Sequence, residues 1–249
     1  MDNSLLVIFL LLIIFIILAG IVLYFSPLKN RVSIKKLFAV TQLMKSISYS
    51  VEDGKGVHLS IGKSNLANMH GAASFIGLET TKKILTRSAL SDNPPTITSG
   101  SGEIALLTQT TIADSFGNKS KINPTVLPNA YLSGPTNLSY IAGAIPPAAQ
   151  NNLSSQVIVG NLGSEIGLIL HESNRKNHFS LSATDDLEGQ AVSYVFSNEA
   201  IIGDQIFTLP DQLDKDPNHS IPIIIQDLLR WVIIATILIL VLLKLTGIA

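Results

Sequence analysis

Apolar residues fall into two long blocks at the ends of the chain and into short periodic runs between them. Leu5 to Phe25, LLVIFLLLIIFIILAGIVLYF, is 21 residues without a charge. At about 1.5 Å per residue a helix of that length covers about 30 Å, one hydrocarbon thickness. Trp231 to Ala249, WVIIATILILVLLKLTGIA, is the second block. Only Lys244 interrupts it, and a lysine stem near a helix end can carry its ammonium to the headgroups. Both blocks are predicted to span a membrane. The first is too long for the apolar part of a signal peptide, and Met1 to Ser4 lack the basic residues of one.

Between the blocks the period changes repeatedly. Ser33 to Val51 reads as a helix with Ile34, Leu37, Phe38, Thr41, Met44 and Ile47 on one face, Ser33 as its cap, and Glu52-Asp53-Gly54-Lys55-Gly56 as its end. Strand-like runs then alternate with helical ones. Strands are expected at 57–61, 95–98, 130–132, 156–159 and 178–182. Helices are expected at about 70–90, 103–116, 137–144 and 164–174, with small polar loops between. Leu187 to Phe196 is compatible with a further helix. Ala200 to Phe207 is ambiguous between strand and helix, and Asp211 to Ser220 is a polar connector.

Strands alternating with helices of about ten residues predict an α/β fold. The expectation is a Rossmann-like parallel sheet with helices on both faces, flanked by N- and C-terminal transmembrane helices. The division is 1–27 for the first span, 28–220 for the α/β domain and 221–249 for the second span.

Charged residues are only 14% of the 249, against about a quarter in soluble chains, which agrees with two segments outside water. The absence of cysteine excludes disulfides, zinc–thiolate sites and thiol nucleophiles, and a net charge of −1 argues against a nucleic-acid partner. Lys29, Arg31, Lys35, Lys36 and Lys45 follow the first span and Arg230 precedes the second, so the positive-inside rule places the central domain in the cytoplasm of a multi-pass cell-membrane protein. Lys244 and the sequons at Asn118, Asn137, Asn152 and Asn218 are the contrary signs. The interiors of both spans lack Asp, Glu, His and Asn, so they read as anchors rather than a transport path.

Right-handed crossovers bring every strand-to-helix loop to one edge of the sheet, where ligands of such folds bind. The ligand-binding candidates there are Lys63, Ser101, Glu103, Gly160, Asn161, Gly163, Ser164, Glu165 and Asp185. Gly160-Asn161-Leu162-Gly163-Ser164 could cradle a phosphate on free N–H groups, or be a tight turn with Ser164 near the helix cap. Glu103, Glu165, Asp185, Asp186 and Glu188 make this edge acidic, with Lys63 its only base, so a nucleotide without Mg²⁺ is disfavoured. Asp185-Asp186 could ligate Mg²⁺ or Ca²⁺, or simply cap a helix. His58, His70, His171, His178 and His219 show no metal-ligand spacing; His58 reads as a packed strand residue, and His171 and His178 as imidazoliums suited to a helix C-terminus. Ser101 stands at a strand-to-helix turn, but G-x-S-x-G is absent and a Ser–Asp–His order would require His219. No catalytic residue, metal ligand or cofactor is assigned.

GVHLSIG, PPTITSGSGEIALL, QVIVGNLGSEIGLILHES, AIIGDQIF and QDLLRW resemble an uncharacterised family of prokaryotic membrane proteins with a domain of unknown function between membrane helices. The resemblance covers most of the chain and implies no reaction. The expected function is a membrane-anchored cytoplasmic α/β binding or scaffolding module in a membrane assembly. Its expected partners are the lipid bilayer and either other proteins or further copies of itself. The alternative is an anchored enzyme acting on a metal-bound anionic or nucleotide-like small molecule at the strand C-terminal edge.

Overall fold

The computed structural model describes residues 37–63, 66–67, 70–88, 91–117 and 128–213, together with positions 229, 230, 233, 234 and 237. The first apolar block, most of the second, Ser33 and His219 lie outside the described residues. Among the described residues no helix is long and apolar enough to cross a membrane. Within the second block Ile233, Ile234 and Ile237 are helical and 54%, 42% and 55% exposed. Residues 36–214 form one compact unit, and 1–35 with 215–249 group as another.

The α/β unit opens with helix α1, Phe38–Glu52. Strand β1 is Gly56–Gly62, helix α2 Gly71–Ser88, β2 Thr96–Ser99 and α3 Gly102–Gly117. Then come β3 at Asn129–Leu132, α4 at Asn137–Ala148, β4 at Leu153–Asn161 and α5 at Ile166–Arg175. β5 is Phe179–Thr184, α6 Leu187–Phe196 and β6 Glu199–Ile201. A 3₁₀ turn at Gly203–Thr208 leads into the short α7, Leu209–Leu213.

All five strand pairings are parallel, in the order β3-β2-β1-β4-β5-β6. The α/β Rossmann-like sheet expected from the alternation is therefore present, with six strands among the described residues rather than five. The ambiguous 200–207 run splits, its first residues joining β6 and the rest forming the 3₁₀ turn. α4 continues past the expected end at Ala144 through Pro146 and Pro147. Each proline removes an N–H that would bond the carbonyl four residues back, and the burial of Tyr140, Ile141, Ala144, Pro147 and Ala148 holds the helix down in spite of that loss.

Period-two alternation decides what each sheet face carries. Val57, Leu59 and Ile61 of β1, Ile97 of β2, Val157 and Val159 of β4 and Leu181 and Ala183 of β5 form one core with α1, α2, α3 and α7. The opposite face packs Ile158 and Leu162 against α4 and α5. Most of its other strand positions are polar and yet buried: His58, Ser60, Thr98, Gln156, Ser180 and Ser182 are at most 2% exposed. They bond one another and residues of the covering segments, while Gln156 Nε2 has no partner among the described residues. His58 Nδ1 bonds Gln156 Oε1 at 2.7 Å and Nε2 bonds Thr98 Oγ1 at 3.0 Å. These bonds suit a neutral ring with Nδ1–H donating and Nε2 accepting. The Tyr140 hydroxyl bonds Ser60 and accepts the Gly62 N–H. Asn198 Oδ1 accepts from the Ser180 backbone N–H at 2.8 Å and from its hydroxyl at 2.9 Å.

The two ends of this unit are tied together. The Leu37 N–H donates to Gln212 Oε1 at 2.7 Å across 175 residues of chain.

Candidate functional site

The strand order reverses between β1 and β4, so their crossovers leave in opposite directions and open a gap beyond their carboxyl ends. Three glycines bring the loops there into close approach. Gly62 has φ of +82°, and its carbonyl accepts the Gly100 N–H at 2.7 Å. Gly160 has φ of +150° and lies against the Ile61 carbonyl, where a side chain has no room.

Lys63 follows directly. Its Nζ donates to Asn137 Oδ1 at the start of α4 and to Glu165 Oε1 just before α5, each at 2.8 Å. Burial alone would raise the Glu165 pKa. The hydrogen bond and charge of Lys63, with the backbone N–H groups of Glu165 and Gly163, outweigh it and hold the carboxyl below its ordinary value. A second clasp lies on the β4–β5 side. Asn161, 5% exposed, donates to Asp185 Oδ1 at 2.8 Å, and His70 Nδ1 meets Asp185 Oδ2 at 2.7 Å. Asp186 does different work: its Oδ1 accepts the N–H groups of Glu188 and Gly189 and caps α6. The adjacent aspartates thus point to different partners, and among the described residues no three of His, Asp and Glu form a metal-binding cluster.

On the other side of Lys63 a cavity of about 370 Å³ opens, lined by Lys63, Gly100, Ser101, Gly102, Glu103, Leu132 and Pro135. It is framed by the ends of β1, β2 and β3. Ser101 Oγ accepts the Ile104 N–H at 3.3 Å, and among the described residues no imidazole is a hydrogen-bond partner of it. Glu103 Oε2 accepts the Leu66 N–H at a long 3.4 Å and is otherwise exposed.

The candidate residues therefore separate into two groups joined by Lys63. Ser101 and Glu103 share the cavity with it; Asn161, Glu165 and Asp185 form the clasps; Gly160 and Gly163 shape the β4 loop. Gly163 lies where a Cβ would stand 2.7 Å from Glu165 Oε2. Ser164 is exposed and does not cap α5, whose first turn has no side-chain cap. Asn137, His70 and Tyr140 escaped the sequence reading as site residues. Asn137 opens a helix directly after a strand-end turn, a signal visible beforehand. His178 departs from the imidazolium expectation. Burial lowers its pKa, Lys176 and Lys55 add to this, and a backbone bond to Ala148 only partly offsets it.

No family model, curated protein or solved structure matches this chain.

Proposed function

We propose that the chain is a membrane-anchored, cytoplasmic α/β binding module that holds a small polar ligand at the carboxyl edge of its sheet within a membrane assembly. The observation that carries the binding reading is the cavity at Lys63. Lys63 is fixed by Asn137 and Glu165, and Ser101 is committed to capping α3, an arrangement suited to holding rather than attacking. Anchoring is supported by the Leu37–Gln212 bond, which makes the chain enter and leave the domain at one place, as two neighbouring membrane crossings require. The exposed isoleucines 233, 234 and 237 suit lipid contact, and the resemblance to membrane proteins with an intervening domain belongs to the same reading.

The chain lacks cysteine, so Ala113→Cys on the exposed side of α3 gives a single reporter. It should resist a membrane-impermeant thiol reagent in intact cells and react after permeabilisation; labelling in intact cells would refute the cytoplasmic placement. For binding, the full chain in mild detergent is screened by thermal shift against sugars, nucleosides, amino acids, amines and nucleotides with Mg²⁺. Ligand at 100 times Kd stabilises by about 2.7 kcal/mol. Silence toward every class, with no co-purifying protein, would refute the module. The enzyme reading has one observation in its favour: Asp185 holds the His70 imidazole at 2.7 Å, as an oriented general base is held. Turnover of a nucleotide or other metal-bound anion would decide for it.

A further inference from the structure

Building on the binding-module reading, we infer that the cavity between the ends of β1, β2 and β3 takes a neutral ring bearing a vicinal diol: a sugar, or the ribosyl part of a nucleoside. The lining sets the class by elimination. Lys63 is the cavity's cation, but its charge is already matched by Glu165 at 2.8 Å, and two of its three donors are used on Glu165 and Asn137. One N–H remains. Glu103 is the opposite case: its carboxylate receives only the long Leu66 N–H bond, so it keeps both acceptor capacity and unbalanced charge. A phosphate placed here would face an uncompensated carboxylate with no free cation among the described lining residues to oppose it. A simple cation would be drawn to Glu103 but would leave the Lys63 donor and the Ser101 hydroxyl unused.

A ring with adjacent hydroxyls uses all of them. Two hydroxyls donate to the two Glu103 oxygens, a paired geometry that a carboxylate offers well. A ring or hydroxyl oxygen accepts from Lys63 or Ser101. Leu132 and Pro135 supply an apolar wall for the ring's hydrocarbon face, and Leu132 is 47% exposed with nothing yet covering it. The volume of about 370 Å³ falls in the lower part of the range of small-molecule sites, roughly 300 to 1,000 Å³. Gly102 leaves the space open: a Cβ there would meet no heavy atom within 4 Å.

The test titrates the full chain in detergent with ribose, adenosine, 2′-deoxyadenosine and AMP, following the melting temperature and heat of binding. Ribose or adenosine should bind saturably, with Kd on the order of 1 mM or tighter. Ribose alone would identify a sugar site, and adenosine markedly tighter than ribose a nucleoside site. The deoxynucleoside should bind roughly tenfold more weakly than adenosine, and AMP no more tightly. Glu103→Gln should weaken binding roughly tenfold, while Glu188→Gln, which alters a carboxylate outside the cavity, should not change it. Gly102→Leu should fill the cavity and abolish binding while the unliganded protein melts at or above the parent temperature. AMP or Mg²⁺–ATP binding more tightly than adenosine, equal binding of the deoxynucleoside, or undiminished binding by the Gly102 variant would each overturn the assignment. Silence toward all sugars and nucleosides alongside a response to amino acids or amines overturns the ligand class and leaves the binding module standing. Silence toward every class, with no co-purifying protein, removes both.

Discussion

Gly62→Ala should be among the most damaging single-methyl additions in this protein. Gly62 ends β1 with φ of +82°, a region where a Cβ crowds the following carbonyl and which ordinary residues enter at about 1–2 kcal/mol. The added carbon would stand 2.6 Å from the Asn161 carbonyl oxygen and 2.8 Å from its nitrogen. Those atoms belong to β4, paired with β1 in the middle of the sheet, and so have little freedom to retreat. Overpacking of that kind adds about 1–3 kcal/mol. The sum, about 2–5 kcal/mol, is a large share of the 5–15 kcal/mol that holds a typical domain together. For a domain of this size 1 kcal/mol moves the melting temperature by about 2–4 °C, so Gly62→Ala should lower it by at least about 4 °C. Circular-dichroism melts of the full chain in detergent measure this, with Gly102→Ala as the companion. That Cβ meets open space at a helix start, so its melt should match or exceed the parent's. If both variants melt within about 2 °C of the parent, the claimed approach of β1 to β4 is wrong.

Two further outcomes concern the buried polar face. Tyr140→Phe removes the hydroxyl that Ser60 and the Gly62 N–H share, leaving both without it in a fully buried position, and should destabilise by about 1–3 kcal/mol; a neutral melt would show that the hydroxyl is not holding them. His58 has its pKa pushed down from 6.5 to about 4 by burial, against a hydrogen bond to Gln156 Oε1 that raises it. Between those values the unfolded chain binds a proton that the folded one does not, so stability falls as pH drops from about 6.5 to about 4, by about 3 kcal/mol in all, and is unaffected by this group above that window. His58→Gln should flatten urea-derived stability across this range; an unchanged slope would place the dependence elsewhere.

The sequence alone carried the succession of strands and helices, because hydrophobic period is a local property. Val57, Leu59 and Ile61 alternate with His58, Ser60 and Gly62, and Ile166, Ile169 and Leu170 mark one helix face. The parallel sheet followed from the strand–helix alternation, and the gathering of loops at one edge from the handedness of crossovers. Boundaries slipped where local signals mislead: at Pro146-Pro147, where packing overrode the helix breakers, and at 199–208, where a three-residue strand gains its partner only from β5.

The tertiary structure decided what those residues do. Nothing local to Lys63 says that its charge is met by Glu165, 102 positions away, and this single pairing turns an apparently available base into a fixed element and leaves Glu103 as the uncompensated charge. The alternating polar residues of β1, β2, β4 and β5 were legible as alternation, yet they would ordinarily face water. They are buried because α4, α5 and α6 cover that face, and only strand order and register bring His58 between Gln156 and Thr98 so that each finds a partner. Period is written in neighbouring residues, whereas pairing depends on which distant segments the sheet places side by side. The first is therefore readable along the chain, and the second only in the folded molecule.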